Sequence, residues 1–560
     1  MLFFICAYAQ AQDNPGMGPG GRPVLPTQPE TEPPAPPLRQ SILPPVPHTE
    51  VPEDGPLPPV RVFVRQVNVI GSTIFSDREL GEVARPYVNR ELTTEDLEAL
   101  RLDLTRYYID RGYVTSGAVI PDQTVSDGVI TIRIIEGALD RIDISGNRWF
   151  RSGYLRKRLA LGTQKPLNIQ ALQERLQFLQ LDNRIERVNA ELKPGIRRGE
   201  SDLNVRVKEA SPFGAAAGIN NYQSPTVGSE RLFIDLAHHN LTGNGDILSF
   251  TGWWGDDPRP QFVAGYSLPL TVRDTTLILD YVEGQTIVQE EPFSPLDIET
   301  YSDSFGITLR QPIYRTLSKA FAVAVTVERS YSESTLDGEP FSFFSGAVNG
   351  ETTIVPLRFS LEWTDRTRTQ VIAARSRFSV GTDALGATVH DDPAIPDGQF
   401  FAWLGQFQWA RRLEFHDIQT LLHFETQLAN DSLLPIEQIG VGGRYTVRGY
   451  RWNQLVRDNG LVLQLEARIP LARNKSWGDY FQLAPFADYG AAWNTDFPTP
   501  DPGSIYSVGI GLRWALTLPA RIQLKPALEI YWGYPLQDVE TVGGDLQDQG
   551  WYFQFDMAAF

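Results

Sequence analysis

From Ser211 to Phe560 the chain alternates apolar and polar residues with a period of two. In Phe401–Arg411 the odd positions hold Phe401, Trp403, Phe407 and Trp409, and the even positions hold Ala402, Gln406 and Gln408. In Leu461–Ile469 the odd positions are Leu461, Leu463, Leu465 and Ile469, with Gln464, Glu466 and Arg468 opposite. Ile418–Leu428, Tyr506–Leu516 and Ile522–Trp532 behave alike, with Arg513, Lys525 and Glu529 on the polar side. Successive side chains of a strand point to opposite faces, so these segments are strands with one apolar and one polar face. Two architectures satisfy that pattern: a soluble sandwich, or a membrane barrel with lipid outside and water within. Large aromatics on the apolar face, often near strand ends, and charges in mid-strand on the other face favour the barrel.

Composition agrees. The chain has 12 Trp, 20 Tyr, 29 Phe and 47 Gly against 3 Met and one cysteine, Cys6, as a large β protein would. No apolar run reaches the roughly 18 residues of a membrane helix. One cysteine excludes an intramolecular disulfide and a thiolate metal site. Lys and Arg total 50 against 68 Asp and Glu, a net charge of −18 that argues against nucleic-acid binding.

The N-terminal segment reads as an address followed by a tether. Residues 1–11 pair a short apolar stretch, Leu2 to Ala9, with small residues in A-x-A spacing, resembling the end of a secretory signal peptide. Residues 12–60 are proline-rich, which predicts an extended or disordered linker. Gly16-Met17-Gly18-Pro19-Gly20-Gly21 formally matches G-x-G-x-x-G, but no strand precedes it and no helix follows, so it is not a nucleotide site.

Residues 61–137 and 138–210 are two copies of one small domain. Val67, Val69, Gly71, Phe75 and Leu80 recur 75 residues later as Ile142, Ile144, Gly146, Phe150 and Leu155. Ile130, Ile132, Arg133 and Glu136 recur 73 residues later as Leu203, Val205, Arg206 and Glu209. Each copy reads as strand, helix, helix, strand, strand. In copy one, Phe63 to Ile70 is a strand, Ser76 and Glu79 form a capping box, and Pro86 ends or kinks the first helix. Leu97, Leu100, Leu104 and Tyr107 or Tyr108 line one helical face, Gly112 caps its C-terminus, and strands follow near Tyr113–Ile120 and Val129–Ile135. A small sheet covered on one face leaves an edge that either takes an extended partner by strand addition or serves as part of a spacer.

The residues Gly112-Tyr113, Ile120-Pro121-Asp122-Gln123 and Ile134-Ile135-Glu136-Gly137 resemble the first POTRA domain of two-partner secretion transporters. These are outer-membrane pores of the TpsB type, related to the filamentous haemagglutinin and haemolysin exporters. The resemblance covers roughly residues 61–560. It implies a transmembrane antiparallel β-barrel of about 16 strands over residues 211–560, preceded by two small α+β POTRA domains in the periplasm. Sharing the barrel's 350 residues among 16 strands gives about 22 per strand and connection, ample for the roughly 9–11 residues of a spanning strand.

Val447-Arg448-Gly449-Tyr450 matches the V-R-G-[FY] signature at the tip of the long sixth extracellular loop of that superfamily, here residues 443–458. Phe486-Ala487-Asp488-Tyr489-Gly490 matches the F-x-D-x-G signature of the strand that receives the inward-folded loop. The resemblance therefore implies an Arg448–Asp488 ion pair inside the barrel, with Phe486 and Gly490 on the receiving wall. Strand parity places Asp488 with Gln482 on the polar face. An arginine fork suits a carboxylate, Gly449 permits a tight bend, and a half-wet pair of this kind is worth about 1–3 kcal/mol. Arg444, Arg451 and Arg457 add charge to the same loop.

What the resemblance implies for partners is a secreted TpsA-like exoprotein, captured at domain level around Gly112, Tyr113, Pro121 and Gln123. Outer-membrane lipid is implied likewise, as is the barrel-assembly machinery during biogenesis, read from a terminal Phe560 like the signal of bacterial barrels. The family's usual N-terminal plug helix has no matching helical pattern in residues 12–60. No catalytic residue, metal or cofactor is expected. His238 and His239 are adjacent on a strand and face opposite ways, and no hydrolase, zincin or P-loop motif occurs. The expected function is export of an unfolded exoprotein through the barrel. A barrel-assembly factor of the same superfamily, a passive porin and a soluble sandwich are the alternatives.

Overall fold

The structure is a computed structural model that describes residues 61–255, 259–518, 523–541 and 544–559, and the backbone of a short pairing of Met17–Gly18 with Arg22–Pro23. The signal-like segment with Cys6, nearly all of the linker, and Phe560 lie outside the described residues. The chain divides into two compact units, the first ending at Ala210 and the second starting at Ser211.

The first unit holds both copies of the repeat. In copy one the central strand Val129–Ile135 runs parallel to Gln66–Ile70 and antiparallel to Gly117–Val119. Helices Asp77–Ala84 and Thr94–Ile109 supply the apolar face, with Leu80, Leu100, Leu104 and Tyr108 fully buried. Each helix starts on a reciprocal cap, Ser76 with Glu79 and Thr93 with Asp96. The Ser76 hydroxyl and backbone N–H hold the Glu79 carboxyl below its ordinary pKa.

Two strand expectations are corrected. Phe63 to Ile70 is not one strand: Val62–Val64 pairs with Arg90–Leu92, and only Gln66–Ile70 joins the main sheet. The break falls at Arg65, where the N–H groups of Arg65 and Gln66 both donate to the Gly128 carbonyl, at 2.7 and 3.2 Å. Tyr113–Ile120 shortens to Gly117–Val119, because Ser116 N–H closes a turn onto the Tyr113 carbonyl at 3.0 Å.

Copy two repeats the layout. Glu200–Glu209 is central, parallel to Ala138–Ser145 and antiparallel to Ile185–Pro194, with helices Ser152–Leu159 and Ile169–Gln180. The equivalent glycines Gly71 and Gly146 have φ of 88° and 81°. A Cβ on Gly71 would lie 2.6 Å from the Ile134 carbonyl oxygen, and one on Gly146 would lie 2.4 Å from that of Val207. The repeat therefore preserves a backbone crossing that only glycine permits. Each copy has its own apolar core.

The second unit is a closed antiparallel barrel of sixteen strands among the described residues, with the two-residue piece Glu339–Pro340 paired to the end of the seventh strand. The first strand, Phe213–Asn220, pairs with the last, Trp551–Ala559, and closes the cylinder. Parity sorts the side chains. In Ser504–Ala515, the exposed Val508, Ile510 and Leu512 alternate with Ser507, Gly509, Gly511 and Arg513. Phe305, Ile307 and Leu309 on the sixth strand, and Val325 and Val327 on the seventh, extend the apolar exterior. An apolar band of this extent around a closed cylinder is the exterior typical of a membrane β-barrel. Tyr489 stacks on Tyr506, and Trp532 lies 6.3 Å from Trp551, near the strand ends on that exterior.

Candidate functional site: a loop folded into the barrel

The eleventh barrel strand, Gln419–Ala429, and the twelfth, Asn459–Lys475, are joined by a long loop. Its legs, Ile439–Val441 and Leu455–Arg457, pair as an antiparallel ribbon. Its tip is shaped by Gly442, Gly443 and Gly449, all with positive φ. The Thr446 hydroxyl accepts the Gly442 N–H at 2.7 Å, and Gly443 N–H donates to the Val447 carbonyl at 3.1 Å. Apolar packing turns the ribbon inward: Ile439, Val441, Val447, Tyr450 and Leu455 bury against wall residues Val462, Ala492 and Ile505.

At the tip Arg448 is 1% exposed and Asp488 3%. The guanidinium grips the carboxylate with both arms, Nε to Oδ2 at 2.7 Å and Nη2 to Oδ1 at 2.8 Å. The Arg448 backbone N–H adds a third bond to Oδ2 at 3.1 Å. Nη1 donates to Glu466, and the Phe486 ring lies 3.6 Å from the guanidinium carbon. One arginine thus meets two carboxylates and an aromatic face, a geometry that lysine cannot reproduce. Glu466 is balanced in turn by Arg468 at 2.7 Å. Beside this pair, Glu529 joins loop residue Arg444 to wall residue Arg513, each at 2.9 Å.

The wall leaves room only where it lacks side chains. A Cβ on Gly490 would fall 2.3 Å from Val441 Cγ1 and 2.7 Å from Val447 Cγ2. A Cβ on Gly533 would fall 2.6 Å from the Gly449 nitrogen, so loop and wall meet there backbone to backbone. The Tyr552 hydroxyl accepts the Gly449 N–H at 3.0 Å and donates to the Tyr450 carbonyl. The Tyr450 hydroxyl donates to the Tyr506 carbonyl at 2.9 Å and accepts from Gln537 N–H at 3.1 Å. Arg451 pairs with Asp548 and, at 2.6 Å, with Glu290. Gln547, fully buried, accepts the Trp452 N–H at 2.8 Å and donates to the carbonyls of Asn221 and Gln223. The structure thus brings together Val447, Arg448, Gly449, Tyr450, Phe486, Asp488 and Gly490.

Sequence reasoning missed Gly533, Gln547 and Tyr552, and did not connect Glu466 with the loop. Tyr552 carried a signal: Trp551, Phe553 and Phe555 mark the lipid face of the last strand, so the aromatic between them points inward. Gly533 and Gln547 carry no local signature, since both answer to a loop about a hundred residues upstream.

The four residues read for capture all belong to the first copy. Gly112, with φ of 90°, follows the helix Thr94–Ile109, and its carbonyl accepts the Ile169 N–H of copy two at 2.9 Å. With Leu167 N–H on the Gly137 carbonyl at 2.7 Å, it ties the two copies together. The Tyr113 ring packs edge-on to Phe75 and Tyr108. Pro121 follows the edge strand Gly117–Val119 and is half-buried. The Gln123 amide both donates to the Thr131 carbonyl and accepts its N–H, each at 2.8 Å, so it occupies one rung beside the central strand.

Comparison with known proteins matches this architecture. The sequence pattern described as haemolysin secretion/activation protein ShlB/FhaC/HecB matches residues 199–514, and that of the ShlB-type POTRA domain matches residues 62–137. The chain is 24% identical over 435 residues to the outer membrane transporter CdiB of Escherichia coli O6:K15:H31, covering 75% of this chain and 71% of that protein. It is 24% identical over 390 residues to the hemolysin transporter protein ShlB of Serratia marcescens, covering 67% and 66%. The solved CdiB from Escherichia coli shares the fold, with a TM-score of 0.67, 22% identity and 92% of each chain covered. BamA from Haemophilus ducreyi, solved without its POTRA domains 1–3, shares it at a TM-score of 0.52 and 14% identity, over 88% of this chain and 99% of that one.

Proposed function

This chain belongs to the haemolysin secretion/activation protein ShlB/FhaC/HecB family, and from that membership we propose a cycle in which capture and export are separate tasks of its two units. It is an outer-membrane transporter of two-partner secretion, with its POTRA domains in the periplasm. In the proposed cycle the periplasmic domains take up an unfolded TpsA-like exoprotein by main-chain pairing, which gives affinity without a strict side-chain code. The Arg448 loop holds the bore occupied at rest and leaves Asp488 when the exoprotein threads outward. Folding of the exoprotein outside biases its movement, which supplies direction without a nucleotide. Lipid surrounds the apolar band, and the barrel-assembly machinery inserts the chain during biogenesis.

The observation that carries this reading is the buried Arg448 fork on Asp488, formed by a loop rather than by neighbouring strands. A contact that spans 40 residues of sequence and is made mostly of polar bonds is one that an incoming chain can exchange for its own. The test is co-expression with a candidate TpsA-like exoprotein, in a Gram-negative host that has neither. The exoprotein is expected in the medium only when this chain is present. Equal amounts in the medium without it would contradict an export role.

A further inference from the structure

The two copies of the periplasmic domain share a scaffold and differ in charge. Residues 61–137 carry 9 basic and 12 acidic side chains, whereas residues 138–210 carry 15 basic and 9 acidic. The excess gathers at one corner. Between Asp143 and Glu174 there is no acid, and Arg148, Arg151, Arg156, Lys157, Arg158 and Lys165 fall in that interval. The matching helix of copy one carries Asp77, Glu79 and Glu82.

The turn before this helix is held without the charge of these bases, although Arg156 also serves the scaffold, its Nε donating to the Ile142 carbonyl at 3.0 Å. Glu136 holds the turn of copy one through the N–H and hydroxyl of Thr73, and Glu209 holds the equivalent turn through the N–H groups of Arg148, Trp149 and Phe150 at 3.0, 2.6 and 2.9 Å. Thr73, Ile74 and Ser76 of one copy correspond to Arg148, Trp149 and Arg151 of the other. Arg148, Arg151, Arg156 and Lys157 are exposed, and no ion pair reaches them among the described residues. The half-buried Trp149 lies under the Arg148 guanidinium, 5.1 Å from ring to carbon. Glu209, which pins this turn, stands directly before Ala210, Ser211 and Pro212, and the next residue, Phe213, begins the first barrel strand. The three intervening residues span at most about 11 Å of chain.

We propose that this corner of the second periplasmic domain binds the phosphate headgroups of anionic phospholipid in the adjoining membrane leaflet. Bases around an amphipathic ring are the chemistry that recognises a negatively charged headgroup layer. The duplicate domain, one repeat further from the barrel in sequence, lacks that positive charge. The inference rests on the outer-membrane reading.

The test uses the full chain with Cys6→Ser, leaving no native thiol, and Gly153→Cys as a fluorophore site. Gly153 is exposed on the basic helix, and a Cβ there meets nothing within 4 Å. The labelled protein goes into nanodiscs of phosphatidylcholine alone or with about one third phosphatidylglycerol, and heat-modifiable gel migration first establishes that the barrel is inserted. A failure of insertion counts against the membrane reading, whereas the quenching of an inserted barrel bears on the headgroup contact alone. Acrylamide quenching is expected to be at least about threefold weaker in the anionic discs, and to recover near 0.5 M salt as screening predicts. Substituting Arg148, Arg151, Arg156 and Lys157 together by Gln should remove the protection, while Arg148→Lys with Arg151→Lys and Arg156→Lys should retain it. Equal quenching in the two lipids overturns the proposal. Protection that appears only on adding the purified exoprotein, in both lipids alike, assigns the surface to polypeptide and overturns it too.

Discussion

Arg448→Ala is expected to cut secretion of the exoprotein at least tenfold while the barrel still assembles and reaches the membrane in normal amount. The substitution strips Asp488 of two charged bonds and leaves a buried carboxylate beside Phe486. Removing one partner of a buried pair costs about 3–5 kcal/mol, because the remaining charge is left without compensation. At about 1.4 kcal/mol per tenfold change, the docked loop loses roughly a hundredfold or more of its population advantage. The barrel wall does not depend on that pair: its strands are held by backbone ladders, and Glu466 keeps Arg468. Exchanging the charges, Arg448→Asp with Asp488→Arg, should restore part of the lost secretion. Recovery stays partial because Glu466 would then face a carboxylate at position 448. Unchanged secretion by Arg448→Ala would contradict the role given to the loop. Quantitative secretion assays beside heat-modifiable migration of the barrel separate the two outcomes.

Deleting residues 61–137 should abolish export and leave an inserted barrel. Copy two keeps a separate core, in which Leu155, Leu159, Leu172, Leu176 and Leu203 are fully buried, so its fold survives removal of copy one. What is lost is the sheet whose edges flank Val129–Ile135, and with it the surface assigned to the incoming chain. Secretion at more than a tenth of the normal level would remove capture from this domain and transfer it to copy two or to the barrel.

Much of this architecture was legible because the physics is local. Period two follows from the strand itself, so Leu461, Leu463 and Leu465 could be placed outward and Gln464, Glu466 and Arg468 inward without knowing any neighbour. The repeat was legible because Gly71 and Gly146 answer to the same backbone crossing. The broken strand at Arg65 was not, since the break depends on where Gly128 arrives from elsewhere in the chain. In the site, Arg448 and Asp488 could be linked only through resemblance. Parity gave Asp488 its face but no partner, and an inward loop has no period. Tyr552 was readable in hindsight as the one inward aromatic of its strand. Gly533 and Gln547 were not, because their reasons lie in a close approach and a set of carbonyls that only the closed barrel assembles.

The claim at the centre of this account is that the loop tip is docked in the bore at rest and leaves it during export. Hydrogen–deuterium exchange of the full chain in lipid measures that directly. The amides of Arg448, Gly449 and Trp452 donate to Asp488, Tyr552 and Gln547. They are expected to exchange as slowly as barrel strands at rest, and at least about tenfold faster once an exoprotein is stalled in transit, as an opened local unit should. Fast exchange of these amides at rest, or slow exchange unaltered by the stalled exoprotein, would contradict it.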